Sequence, residues 1–316
     1  MITKKVIITD YLHPVLAEWL VSKGFYVDIL PDISNEELLA VISQYAGLVI
    51  STKILVTPKL IDAALNLDFI ARAGSGMENI DVPYARSKHI IVINSPEGNA
   101  NAVAEHAVGM TLSLLNNIVS ADHEIRIGIW RREENRGEEI SGKTIGIIGF
   151  GHTGSAFAAK WKGFDLTILA HDKYKSDFGT DLIREATVAE IQKKADIISF
   201  HLPLNRETQY YCNSSFLNAF EKNIWVVNTS RGKIVNTKDL IAALASKKVI
   251  GAALDVFENE KFYDLEGEDL VLMRNLSSQH NIILTPHVAG WTHTSHYKLA
   301  KILAEKLEAI DISSTK

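Results

Sequence analysis

A chain of 316 residues, 47% apolar and 22% charged, has the makeup of a globular protein, and its length suits two domains. Its single cysteine, Cys212, excludes an internal disulfide framework and a cysteine-based zinc cluster, and fits a reducing cytoplasm. A net charge of −5 argues against nucleic-acid binding through bulk positive charge, and no apolar run approaches the ~18 residues of a membrane span.

Short apolar runs alternate with amphipathic stretches, the texture of parallel sheets covered by helices. The opening segment reads as a strand rather than a signal peptide, because Thr9 and Asp10 interrupt its apolar run. In chain order, strands are predicted over 6–9, 26–30, 47–51, 69–73 and 90–94, with helices over 14–23, 35–44 and 58–65. Residues 100–119 read as one long helix, and 120–142, which contain RREENRGEE, as a polar solvated arm. From Lys143 a second series begins. KTIGIIGFG, LTILAHD, DIISFH, IWVVNTS, GAALDVF and NIILTPH read as strands, and helices are predicted near 154–162, 188–194, 214–220 and 237–246. A last helix over 294–310 places Leu299, Ile302, Leu303 and Leu307 at helical spacing.

Gly149, Gly151 and Gly154 form a G-x-G-x-x-G motif, with His152 and Thr153 inside it. A strand precedes it, a helical stretch follows, and the next strand runs into Asp172, which is the context a dinucleotide site requires. Gly149 permits the tight turn, Gly151 lets backbone approach a pyrophosphate, and Gly154 lets helix and strand pack closely. The helix N-terminus offers N–H groups to the phosphates. Asp172 suits two ribose hydroxyls and repels a 2′-phosphate, which favours NAD over NADP. A second G-x-G, Gly74-Ser75-Gly76, has Asn79 where a third glycine would stand. It reads as a tight loop that presents backbone N–H groups to a small anion.

Polar residues follow several strands of the second series. Arg231 comes after VVNTS, Glu258 and Glu260 after GAALDVF, and His287 after ILTP, and ligands of open α/β sheets bind at such ends. An Arg fork grips a carboxylate, an imidazole transfers a proton near working pH, and an acid orients the imidazole. Spacing leaves Glu258 and Glu260 equally eligible as that acid. His293 and His296 share a helix face, but no carboxylate stands at matching spacing, so no metal is assigned.

Five stretches of the second series carry a resemblance: 149–154 with Asp172, HLPLNRET (201–208), NTSRGKIV (228–235), GAALDVFENE (251–260) and TPHVAGWT (285–292). They resemble the D-isomer-specific 2-hydroxyacid dehydrogenases, most nearly the phosphoglycerate dehydrogenase branch. ARAGSGMENID (71–81) and NSPEGNANAVAEHAVG (94–109) extend the match into the first part of the chain. The resemblance implies two doubly wound parallel-sheet α/β domains, Rossmann-like and flavodoxin-like, with the active site in the cleft between them. It makes 1–99 with 290–316 a discontinuous substrate domain and 100–289 the NAD-binding domain. It selects Glu260 as the acid, Arg231 as the substrate-binding Arg and His287 as the proton carrier. Asp255 falls near the nicotinamide carboxamide. His201, Pro203, Thr208, Thr229, Val103 and Gly290 join the glycine loop as cofactor positions. Gly74, Ser75 and Gly76 become the substrate carboxylate loop, with Lys53 and Arg72 as partners for a substrate phosphate. A homodimer built from the 100–142 region is implied as well. Two departures stand out, Lys261 in place of the usual Pro after the acid and Ser51 in place of an Arg common in phosphoglycerate members, and a short form without the regulatory extension of longer members is expected. The sequence thus predicts a cytoplasmic NAD-dependent oxidoreductase acting at C2 of a small D-2-hydroxy or 2-oxo acid, with 3-phosphoglycerate among the candidates. The competing reading is a dinucleotide-sensing binding protein of the same fold.

Overall fold

The computed structural model describes residues 4–310. The chain forms two compact units: one runs to Ala100 and resumes at Trp291, and the other is Asn101–Gly290.

In the first unit β1 (Lys5–Ile8), α1 (Val15–Ser22), β2 (Tyr26–Ile29), α2 (Asn35–Val41), β3 (Gly47–Ile50), α3 (Pro58–Ala63), β4 (Phe69–Arg72), α4 (Val82–Ser87) and β5 (Ile91–Asn94) alternate. The strands pair in parallel in the order β2-β1-β3-β4-β5, the flavodoxin-like winding with its switch point between β1 and β3. Both β3 and β4 are buried throughout, as strands covered on two faces must be. Alternate residues feed opposite cores. Ile7, Leu48 and Ile70 meet Leu38, Ile42 and Ile61 on one face. Val6, Val49 and Phe69 meet Leu16, Leu20, Leu303 and Leu307 on the other. The last two belong to α12 (His293–Ala309), and burying each contributes about 1.5–3 kcal/mol.

The second unit takes up the chain within α5 (Pro96–Leu115). There follow α6 (Ile118–Arg126), β6 (Thr144–Ile148), α7 (His152–Lys160), β7 (Thr167–His171), β8 (Ile183–Glu185), α8 (Val188–Lys194), β9 (Ile197–Phe200), α9 (Ser214–Asn218), β10 (Ile224–Asn228), α10 (Thr237–Ala245), β11 (Val249–Leu254), α11 (Gly267–Ser277) and β12 (Ile282–Leu284). The parallel order β12-β11-β10-β9-β6-β7-β8 is the dinucleotide-fold winding with one strand added, and it reverses between β6 and β9.

Several elements differ from the predicted ones. The long helix ends at Leu115 because Asn117 adopts a left-handed φ of 53°, and Asn is among the few residues that do so readily. Part of the supposed solvated arm then continues as α6, a helix with no buried residue. The glycine motif turns helical at His152, earlier than predicted. Sequence patterning misses β8 because it is three residues long. It also misses α4 and α11, which bury only Ala85 and Leu276 and so carry almost no apolar periodicity. No helix among the described residues is long and apolar enough to cross a membrane.

Candidate active site

The switch point of the second sheet carries the glycine loop. Gly149 has a φ of +93°, a conformation open to glycine at little cost. A Cβ there would also run into the backbone of His201 at the end of β9. Gly151 faces open space, as a residue approached by a phosphate must, and α7 begins next to it without a side-chain cap. Asp172 holds this loop in place: one carboxylate oxygen accepts the Phe150 N–H at 2.7 Å and the other accepts the Tyr174 N–H at 2.9 Å. Each oxygen keeps a further lone pair for a ribose hydroxyl.

His201 is buried with Nε2 2.9 Å from the Ser199 hydroxyl, and its Nδ1 has no partner. Burial pushes its pKa down to about 3, so the ring is a neutral wall behind the loop. Thr208 donates to the Pro203 carbonyl at 2.6 Å and shapes the segment after β9. Thr229, past β10, is buried with an unpartnered hydroxyl, and Val103 is buried on α5. An open glycine, a left-handed glycine and an orphaned hydroxyl at one sheet edge fit a dinucleotide.

The candidate catalytic residues follow three adjacent strands of this sheet. Arg231, after β10, donates to the Ser230 carbonyl at 2.7 Å. Glu260, after β11, accepts from His287 Nδ1 at 2.8 Å. Burial raises the Glu260 carboxyl, but the His287 bond, the Phe257 N–H and the Arg231 charge together bring it below its ordinary value. His287 has a φ of 53°, a strained conformation for a bulky side chain.

That conformation is held by Asp255, which is fully buried. Its carbonyl accepts the His287 N–H at 2.8 Å. Its carboxylate accepts the Thr285 hydroxyl at 2.5 Å and the Val288 and Ala289 N–H groups at 2.9 Å each. His106 on α5 adds a contact to the Thr285 hydroxyl at 3.1 Å. Asp255 therefore organises the turn that presents His287 and leads to Gly290. Glu258 turns elsewhere: it accepts from the Tyr210 hydroxyl at 2.6 Å and from the Thr237 N–H at 2.7 Å. The bond to Glu258, with partial burial, pushes Tyr210 up to about 12. The sequence offers no sign of Tyr210, and it carries Thr285 and His106 only inside the stretches 285–292 and 94–109 without these roles, which arise from contacts between separate segments.

In the first unit Gly74 has a φ of +149°. Its N–H donates to the Ser95 hydroxyl at 3.2 Å, Asn94 donates to the Ser75 carbonyl at 2.7 Å, and the Ser75 hydroxyl meets Asn99 at 2.8 Å. The loop through Gly76 is thus braced on β5 and the start of α5. Arg72 is buried beneath it, donating to the Ala73 carbonyl at 2.8 Å. A Cβ at Gly74 would collide with the guanidinium. Lys53 is exposed and donates to the Pro31 carbonyl.

Strand order, glycine loop and the acid past β7 define the second unit as a dinucleotide-binding domain. The chain belongs to the D-isomer specific 2-hydroxyacid dehydrogenase family, whose NAD binding domain matches residues 108–289. It is 33% identical over 304 residues to a hydroxypyruvate reductase of Thermotoga maritima, across 96% of this chain and 97% of that one. A D-3-phosphoglycerate dehydrogenase of Synechocystis sp. is 33% identical over 309 residues, or 97% of this chain, which spans 54% of that longer relative. Among solved structures, a glyoxylate reductase from Paecilomyes thermophila shares the fold with a TM-score of 0.87, at 24% identity over 99% of this chain and 97% of that one.

Proposed function

We propose that the protein is a cytoplasmic NAD-dependent dehydrogenase interconverting a small D-2-hydroxy acid and its 2-oxo acid, and that it works as a homodimer. The observation that carries this reading is the 2.8 Å bond between His287 Nδ1 and Glu260. With one ring nitrogen engaged by a carboxylate, the other is left to carry a transferred proton. In the reducing direction Arg231 takes the substrate carboxylate in two parallel hydrogen bonds, and the loop formed by Gly74, Ser75 and Gly76 adds the backbone N–H groups of Ser75 and Gly76, the Gly74 N–H being held by Ser95. Protonated His287 donates to the oxygen at C2, and Glu260 stabilises the imidazolium. When bound, the nicotinamide supplies the hydride. The residues that would hold the dinucleotide are Gly149, Gly151, His152, Thr153 and Gly154 at the pyrophosphate and Asp172 at the ribose. Val103, His201, Pro203, Thr208, Thr229, Asp255 and Gly290 complete its surroundings.

Residues 1–99 with 290–316 serve as the substrate domain in this reading, and 100–289 as the cofactor domain. NADH absorbance followed with phosphohydroxypyruvate, hydroxypyruvate, glyoxylate and pyruvate tests the activity and shows whether a phosphate is accepted. Turnover of at least one is expected, and His287→Asn should lower kcat by ~10²–10⁴. Silence on all four would favour the dinucleotide-sensing reading, and a fully active His287→Asn would remove His287 from its role.

A further inference from the structure

We propose that Glu258 is a positioning residue, a staple that fixes the loop presenting Glu260 to His287. The inference rests on the dehydrogenase reading of Arg231, Glu260 and His287. Both oxygens of Glu258 are engaged, and they join three loops of the second sheet. Oε2 reaches Tyr210 in the segment after β9, and Oε1 reaches the Thr237 N–H where α10 starts after β10. Glu258 itself follows β11.

Tyr210 makes a firm anchor. It sits at a φ of 54°, its N–H donates to the Lys233 carbonyl at 2.7 Å, and its own carbonyl accepts from Asn213 at 2.9 Å. The Arg231 and Glu260 loops are also packed backbone to backbone, since a Cβ on Gly232 would meet the Phe257 carbonyl. Two residues beyond the staple, Glu260 reaches back to the Phe257 N–H at 3.3 Å and out to His287 at 2.8 Å.

The residue after Glu260 is what makes such a staple necessary. A proline there would fix φ and stiffen the turn. Lys261 instead uses its N–H in a 3.0 Å bond to Asn259, whose amide donates to Asp269 at 2.8 Å. The turn is therefore held by side chains, and Glu258 is the one that ties it to the Arg231 side of the site.

The test compares Glu258→Ala, Glu258→Gln and Tyr210→Phe in the full chain. In Glu258→Ala the loosened loop weakens the Glu260–His287 bond. The expected result is a kcat about 10- to 100-fold lower, the scale of a small misplacement, with KM for NADH unchanged. The bond from His287 keeps the Glu260 carboxyl low, so its loss moves the acid limb of the pH–rate profile to higher pH. Tyr210→Phe should move both readouts the same way by less. Glu258→Gln keeps an acceptor for the Thr237 N–H and a polar partner for Tyr210, and should recover most of kcat and the original limb.

A Glu258→Ala protein with an unshifted limb and full kcat overturns the proposal, even if its Tm falls. Proton NMR gives a readout without substrate: the low-field imidazole N–H resonance, assigned by its loss in His287→Asn. It should weaken in Glu258→Ala and Tyr210→Phe and persist in Glu258→Gln, and its persistence in all three overturns the staple. An unmodified protein that reduces no 2-oxo acid would instead defeat the dehydrogenase reading, leaving the staple to be decided by this resonance.

Discussion

Because burial pushes His201 down to about 3, the folded chain refuses a proton that the unfolded chain accepts below about 6.5. Between those values the unfolded state binds more protons, so stability is lost as pH falls, by about 1.4 kcal/mol per pH unit. Urea unfolding at pH 7 and pH 5 should therefore show the unmodified protein losing about 2 kcal/mol more than His201→Asn; identical losses would mean that the ring protonates in place. Nothing in the sequence marks this behaviour, since His201 looks there like one more polar residue after a strand. Arg231, His287 and the glycine loop are legible because each follows an apolar run with few rivals nearby. The choice between Glu258 and Glu260 is not, because both follow the same strand. What separates them are partners 48 and 21 residues away for Glu258 and 27 away for Glu260, and such pairings exist only once the loops meet.

Elements with a strong apolar signal are read well: β3, β4, β6, β9 and β10 all fall where patterning puts them, because parallel strands covered on both faces must be continuous apolar runs. The failures are elements that bury little, and α6 is the instructive one. It buries nothing, yet it and the segment after it expose Ile118, Val119, Ile125, Ile127 and Trp130, the last at 80%. Scattered exposed apolar residues are ordinary, but several on one short stretch suit a partner surface. If the proposed homodimer uses this stretch, Trp130→Asp should weaken self-association at least ~10-fold, the effect of losing about 1.4 kcal/mol. Light scattering across a concentration series checks it, and an unmodified protein that stays monomeric at tens of micromolar would end the dimer reading.

At the scale of the whole molecule, the sequence shows two α/β series, but neither their switch points nor why the final helix belongs with the first. That helix is amphipathic and would suit either sheet; Leu303 and Leu307 settle the matter by filling the core of Leu16, Leu20 and Phe69. Leu303→Ala should cost about 2–5 kcal/mol, read as an earlier thermal transition of the first unit alone, and a transition that moves in the second unit would show that α12 supports both. The same contact has a temporal meaning. Between Ala100 and Trp291 lie roughly 190 residues, and at about 5–20 residues per second a ribosome needs roughly 10–40 s to make them. Throughout that interval the face carrying Val6, Val49 and Phe69 has Leu16 and Leu20 of α1 against it but lacks Leu303 and Leu307, while the second unit is being finished. A core drawn from both sides of the second unit thus stays partly covered until that unit has been made.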